Sequence, residues 1–222
     1  MSRPEPTAVD TTVAFLGEEI ITGGYRAGDR LAESEIVGRY DVSRTTARAA
    51  IQILVARGLV NAPAGRRAAQ VAALSDDDAA SLLHLRGVLE PLLIHRFTER
   101  AEPAQIAALD RAMDRFAETA RASDALRRIY RARDEFYEVL FDGAASLPLE
   151  LAVRSEYAQL GAFRRDRLSM EQELRRVRWN AASICQVVPR ISQRACSAAS
   201  RYSQRMLTED GAATLRTLAA TA

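Results

Sequence analysis

At 222 residues the chain exceeds the usual size of one domain, and with 48% apolar and 27% charged residues it has the composition of a folded globular protein, which excludes a disordered tail. No apolar run of about eighteen residues is present to cross a bilayer, and Glu5, Asp10, Glu18 and Glu19 occupy the region where a secretory leader would be basic and then apolar. The expectation is a cytoplasmic protein with no membrane partner.

Every one of the 31 basic residues is arginine, so arginine abundance says little and position must decide. The formal charge of +2 conceals one local excess, since residues 35–67 hold Arg39, Arg44, Arg48, Arg57, Arg66 and Arg67 against only Glu35 and Asp41. Two cysteines, Cys185 and Cys196, lie far from any CxxC spacing and read as reduced packing residues.

Along the chain, Val9, Val13, Leu16, Ile20 and Ile21 recur at three- and four-residue steps, predicting a helix from Thr7 that ends at Gly23 and Gly24. YRAGDRL follows as a turn. Ser34 opens a brief helix carrying Ile36, Val37 and Tyr40, and Asp41 and Val42 turn the chain toward Ser43, a good N-cap for a helix that runs to Arg57 and stops at Gly58. Leu59 and Val60 then predict a short strand, PAGRR a turn and AAQVAAL a second strand, together a two-stranded wing.

From Ser75 onward the pattern is helical, with helices expected at about 76–100, 103–121, 124–143, 148–168, 170–189 and 191–208, and the last dozen residues expected to fray. The fold class is therefore mainly α: an N-terminal winged helix-turn-helix over 1–75 and an all-α helical bundle over 76–222.

The helix opening at Ser43 carries the first chemical signal. Arg44 and Arg48 lie one turn apart on one face, while Ile51, Leu54 and Val55 take the opposite, core-facing side. In a helix-turn-helix the second helix enters the major groove and presents its N-terminal residues to base edges and phosphates. Arginine suits guanine O6 and N7, and small hydroxyls and N-terminal amides suit phosphate oxygens. The alternative, two arginines that merely solvate a face and pair with Asp41 or Glu35, leaves the helix pair, serine cap, wing and charge excess unexplained.

The run ITGGYRAGDRLAESEIVGRYDVSRTTARAAIQILVARGLV resembles the winged helix-turn-helix of the GntR family of bacterial transcription regulators. VSRT, a second arginine four residues after the first, and the closing GLV carry the resemblance. It implies that Ser43, Arg44, Thr45, Thr46 and Arg48 contact DNA, with Arg66 and Arg67 in the wing. One departure stands in that wing, PAGRRAAQV, where the family has an arginine, a glycine and an aromatic residue before the valine.

LHLRGVLEPLLIHRFTERA similarly resembles the first helix of the FCD effector-binding domain of the FadR-like branch. That resemblance implies a small carboxylic acid bound through a divalent metal held by an aspartate and three histidines. Alignment on Phe136 puts Arg133 at the aspartate and Tyr137 at the first histidine, and Asn180 and Tyr202 at the other two. A guanidinium repels a cation, and neither phenol nor amide is a strong ligand at neutral pH. No metal or other cofactor is therefore expected, and His84 and His95, eleven residues apart on one helix, cannot share an ion. Arg133, Tyr137, Asn180 and Tyr202, with Arg86 as a second positive end, could instead hold an acid directly. The competing reading is a pocket degenerated into core, with Arg133 paired to Glu138.

These readings converge on a homodimeric regulator, a repressor, with a pseudo-palindromic double-stranded operator and a small acidic metabolite as partners. The rival within the same class is a constitutive DNA-binding protein whose helical domain only dimerises. An enzyme is not expected: Asp134 with Glu135, and Glu171 with Glu173, diverge on a helix, and neither a nucleophile motif nor a Gly-rich phosphate loop occurs.

Overall fold

The computed structural model describes residues 5–62 and 68–220. Two compact units result: one contains the chain up to Ser75 together with 154–167, the other contains 76–153 and 168–222. Residues 154–167, expected within the helical domain, thus pack as part of the N-terminal unit.

In that first unit, α1 (Ala8–Thr22) starts at a capping box in which Thr7 Oγ1 accepts from the Asp10 amide and the Asp10 carboxylate accepts from the Thr7 amide. Gly23 ends it at φ 91°, a conformation glycine adopts without strain. β1 (Arg30–Leu31), α2 (Glu33–Tyr40), α3 (Arg44–Ala56), β2 (Val60–Asn61) and β3 (Ala69–Val71) follow. The wing is three-stranded and antiparallel in the order β1-β3-β2, so part of the segment expected as a plain turn is a strand. The cause is burial: β3 has two edges, and pairing its second edge places Leu31 in the core at 1% exposure. α2 begins at Glu33, ahead of Ser34, with no side-chain cap.

Val13, Leu16, Ile20, Ile36, Ala47, Ala50, Leu54 and Val71 form this unit's core, and Ala158 and Ala162 pack against it. Each fully buried large aliphatic side chain contributes roughly 1.5–3 kcal/mol.

The helical unit comprises α4 (Asp76–Arg100), α5 (Pro103–Ala122), α6 (Leu126–Ala144), the start of α7 (Leu147–Arg167), α8 (Met170–Ile184), α9 (Val188–Ser192) and α10 (Cys196–Ala219). Its most extensive packing is between α4 and α10, followed by α5 with α6. Phe97, Phe116, Phe136, Leu93, Ile94 and Leu109 fill the centre. Gly143 lets α6 approach α4, since a Cβ there would fall 2.3 Å from the Phe97 ring.

Two expectations are corrected here. The helix predicted over 170–189 is two helices, because Pro189 cannot extend a helix and instead opens the short α9. The final segment is helical through Ala219 rather than frayed, because Gly211, Thr214 and Leu218 are buried on one face of α10.

Candidate functional site

The N-terminus of α3 is held by Ser43, whose Oγ accepts from the Thr46 amide at 3.0 Å and lies 2.9 Å from Thr46 Oγ1. Ala47, Ala50, Ile51 and Leu54 anchor the helix in the core. Ser43, Arg44, Thr45 and Arg48 are exposed and Thr46 is half-buried, so the five residues share one accessible helix end. No acidic residue occupies the first turn of α3, leaving its positive dipole end uncancelled within the helix. Val55 is half-buried, at the margin of the core-facing side.

Arg44 forms no salt bridge among the described residues. Arg48 is different: its Nε and Nη2 donate to the two carboxylate oxygens of Glu33 at 2.8 and 3.0 Å, a planar fork. That hydrogen-bonded pair, aided by the Arg48 and Arg44 charges, holds the Glu33 carboxyl below its usual range. The partner of Arg48 is therefore neither Asp41 nor Glu35. Arg66 and Arg67, the wing residues, lie outside the described residues.

A second polar cluster ties α1 to α2. Tyr40 Oη donates to Glu19 at 2.8 Å, Arg39 pairs with Glu19 at 3.0 Å, and Tyr25 Oη donates to Glu35 at 3.0 Å. Burial, then hydrogen bonding to Glu19, pushes the Tyr40 phenol well above its usual value, so it remains a donor.

In the helical unit, Arg86 is 2% exposed and donates to Glu90 at 3.0 Å and to Asp210 at 2.7 Å. Tyr137 Oη donates to the other oxygen of Glu90. Asp210 also accepts from Arg176 at 3.3 Å, and Arg176 pairs with Glu173, which accepts in turn from Tyr130. Burial pulls the Arg176 guanidinium down, but Glu173 and Asp210 outweigh it and raise its pKa above the ordinary value. One polar chain thus crosses α4, α6, α8 and α10, with Arg133 stacked over the Tyr130 ring at 4.7 Å and paired with Asp134 at 2.7 Å.

Of the five residues read as an effector set, Arg86, Tyr137 and Arg133 belong to this chain of contacts. Arg86 is no free positive end, because two carboxylates already claim it. Asn180 is buried at 3% and its Nδ2 has no hydrogen-bond partner among the described residues; Ser203 Oγ is in the same state. Tyr202 stands apart, half-buried between the guanidiniums of Arg190 at 4.4 Å and Arg205 at 5.3 Å. The aspartate-and-three-histidine metal set does not fit these residues, because a guanidinium, two phenols and a buried amide occupy its places. Among the described residues no group of three or more His, Cys, Asp or Glu side chains is arranged to hold a metal ion.

Sequence reasoning missed Glu33 and Asp210. Glu33 is 15 residues from Arg48 and Asp210 is 124 from Arg86, separations without a periodic signal.

Residues 9–69 match the model of bacterial regulatory proteins of the gntR family, and residues 81–209 match the FCD domain. The HTH-type transcriptional regulator YdhC of Bacillus subtilis (strain 168) is 24% identical over 127 residues, 57% of this chain and 56% of the relative. BphR of Paraburkholderia xenovorans (strain LB400), likewise an HTH-type regulator, is 38% identical over 82 residues, 37% of this chain and 33% of its own. The chain thus spans about half and a third of the length of these two curated relatives.

Among solved structures, E. coli McbR/YncC superposes with a TM-score of 0.76 at 12% identity, covering 95% of this chain and 98% of its own. A GntR regulator from Rhodococcus sp. RHA1 gives 0.68 at 23% identity, covering 93% and 97%. These likenesses show a shared fold. With one family model on the winged unit and the other on more than half of the sequence, this chain belongs to the GntR family of bacterial transcription regulators, a family of regulators and not of enzymes, in the branch that carries an FCD domain.

Proposed function

We propose that this GntR-family protein is a homodimeric cytoplasmic repressor that reads a pseudo-palindromic operator through α3 and responds to a small organic acid through its helical unit. The observation that carries the reading is the end of α3, where Ser43, Arg44, Thr45 and Arg48 are exposed on a helix whose opposite face is buried at Ala47, Ala50 and Leu54. Arg44 and Arg48 would approach base edges or phosphates, and the hydroxyls and first-turn amides the backbone. Arg66 and Arg67 would add wing contacts to a flanking groove.

Homodimerisation finds support on α4, where Leu85, Val88 and Leu92 are 44%, 60% and 51% exposed at three- and four-residue steps. Such an apolar stripe in water is suited to a two-fold self-contact, and two recognition helices on one operator double the contacts of each. No helix among the described residues is long and apolar enough to cross a membrane.

A second reading, a constitutive DNA-binding protein with a purely structural helical unit, is favoured by the internal pairing of Arg86, Glu90 and Tyr137. Fluorescence anisotropy on fragments upstream of the protein's own gene, at several salt concentrations, tests the DNA reading. Sequence-specific binding lost in Arg44→Ala, with a steep salt slope, supports it; weak binding to every fragment, unchanged by the substitution, sinks it. Thermal shift with a panel of acids then separates the two readings, since a ligand that binds the folded state raises its melting temperature.

A further inference from the structure

Between the first half of α8 and the second half of α10 the helical unit leaves a groove of about 580 Å³, inside the range of roughly 300–1,000 Å³ typical of small-molecule sites. Its walls are chemically divided. Trp179, Leu168 and Ala213 supply apolar surface, and Arg175, Arg176 and Arg216 supply charge.

Trp179 is the sole tryptophan of the chain, stands 40% exposed on α8 and lines the groove. An open indole face stacks well with a flat apolar or unsaturated partner. Two acids also line the groove, Glu209 and Asp210, but Asp210 is already shared between Arg86 and Arg176. Arg176 is likewise committed, to Glu173 and Asp210. The uncommitted cation is Arg216, in the last turn of α10, which forms no salt bridge among the described residues. Arg175 is the second, since its partner Glu171 is an exposed i,i+4 neighbour, a pairing that an incoming carboxylate readily displaces.

We infer that this groove binds a small organic acid with a flat apolar body: the body lies on Trp179 over Ala213, and the carboxylate is received by Arg216 with Arg175 beside it. The inference rests on the reading of the helical unit as a sensor and gives the effector a place other than the set of Arg86, Tyr137 and Arg133, whose polar groups are engaged by Glu90, Asp210 and Asp134. It also explains why an arginine, a tryptophan and small residues meet on a solvent-facing seam that core packing does not require.

The test uses the full-length protein and the Trp179 emission, with no competing tryptophan. Benzoate, phenylacetate and octanoate are titrated beside their neutral amides, with thermal shift and operator anisotropy recorded on the same samples. The expected result is a saturable change in Trp179 emission with an acid, about tenfold weaker binding of the matching amide and of the acid to Arg216→Gln, and loss of the response in Ala213→Phe, which fills the groove from an exposed position. Unchanged melting curves and operator affinity without ligand establish that both variants fold. An acid that shifts melting and operator affinity equally in wild type and Ala213→Phe overturns the groove and leaves the sensor reading standing. Acid binding at Trp179 with operator affinity unaltered keeps the groove as a ligand site and removes the sensor role. No emission change and no thermal shift with any of the acids rejects this ligand class for the groove.

Discussion

Arg48 and Glu33 face one another through two parallel hydrogen bonds, at 2.8 and 3.0 Å, joining the second turn of α3 to the N-terminal residue of α2. The Arg48 fork is thereby held in one orientation by a carboxylate. The pair is exposed, so it orients the side chain more than it stabilises the fold.

Glu33→Gln should tighten operator binding at low salt by roughly two- to fivefold, since it removes a negative charge that competes with phosphate. The gain should shrink as salt rises. The Glu33 carboxyl is held below its usual range in the folded protein, so the pair is complete above the unfolded value and is lost only as pH falls through the lowered folded value. Anisotropy at pH 6 and pH 8 should therefore show the same ratio of mutant to wild-type affinity; a ratio that collapses at pH 6 would contradict the assignment.

The buried chain from Tyr137 to Tyr130 makes a different demand. Removing Asp210 leaves Arg86 and Arg176, two guanidiniums out of water, short of their shared partner. Asp210→Ala should cost about 3–5 kcal/mol, while a triple replacement of Arg86, Glu90 and Asp210 by apolar residues should cost less than that single change. Urea unfolding followed by Trp179 emission, which reports the helical unit, measures both.

The apolar stripe of α4 predicts the assembly state. Val88→Glu places a charge at a position 60% exposed in the isolated chain, so it should leave the melting curve of a monomer unchanged. If the stripe is the dimer contact, light scattering after gel filtration should find half the wild-type mass and operator affinity should fall by at least tenfold. A dimer that survives the substitution moves the interface elsewhere.

Two glycines should respond in opposite senses. Gly58 sits at φ 71°, and a Cβ there would come within 2.7 Å of the Gln159 side chain, so Gly58→Ala should destabilise the N-terminal unit by about 1–2 kcal/mol. Gly38 lies within α2 with open space around it, and Gly38→Ala should stabilise by about 0.5–1 kcal/mol. Circular-dichroism melts resolve both.

Most helices and the exposed, capped end of α3 are legible in the sequence because they depend on local periodicity, on Ser43 as a cap and on the four-residue step between Arg44 and Arg48. The strand at Arg30–Leu31 is not, because two residues carry no period and their pairing is decided by β3, about forty positions away. The interior of the helical unit is legible only in part. Arg86 and Glu90 show an i,i+4 pair, but Asp210 and Arg176 meet them through tertiary packing alone. A resemblance to metal-binding relatives locates Tyr137 and Asn180 without indicating that Glu90 would engage the phenol.

Residues 154–167 give the N-terminal unit a property that its first 75 residues do not have. Ala158 and Ala162 cover its core, Ser155 Oγ donates to the Arg57 carbonyl at 2.8 Å, and Asp166 accepts from the Ala27 amide at 3.2 Å. The N-terminal unit is therefore discontinuous in the sequence. Cutting at residue 75 takes Ala158 and Ala162 away from that core and exposes apolar surface, so the excised unit must carry residues 154–167 to stay covered. Exchanging only the first third of this chain would set its core against a stretch of 154–167 from a different sequence.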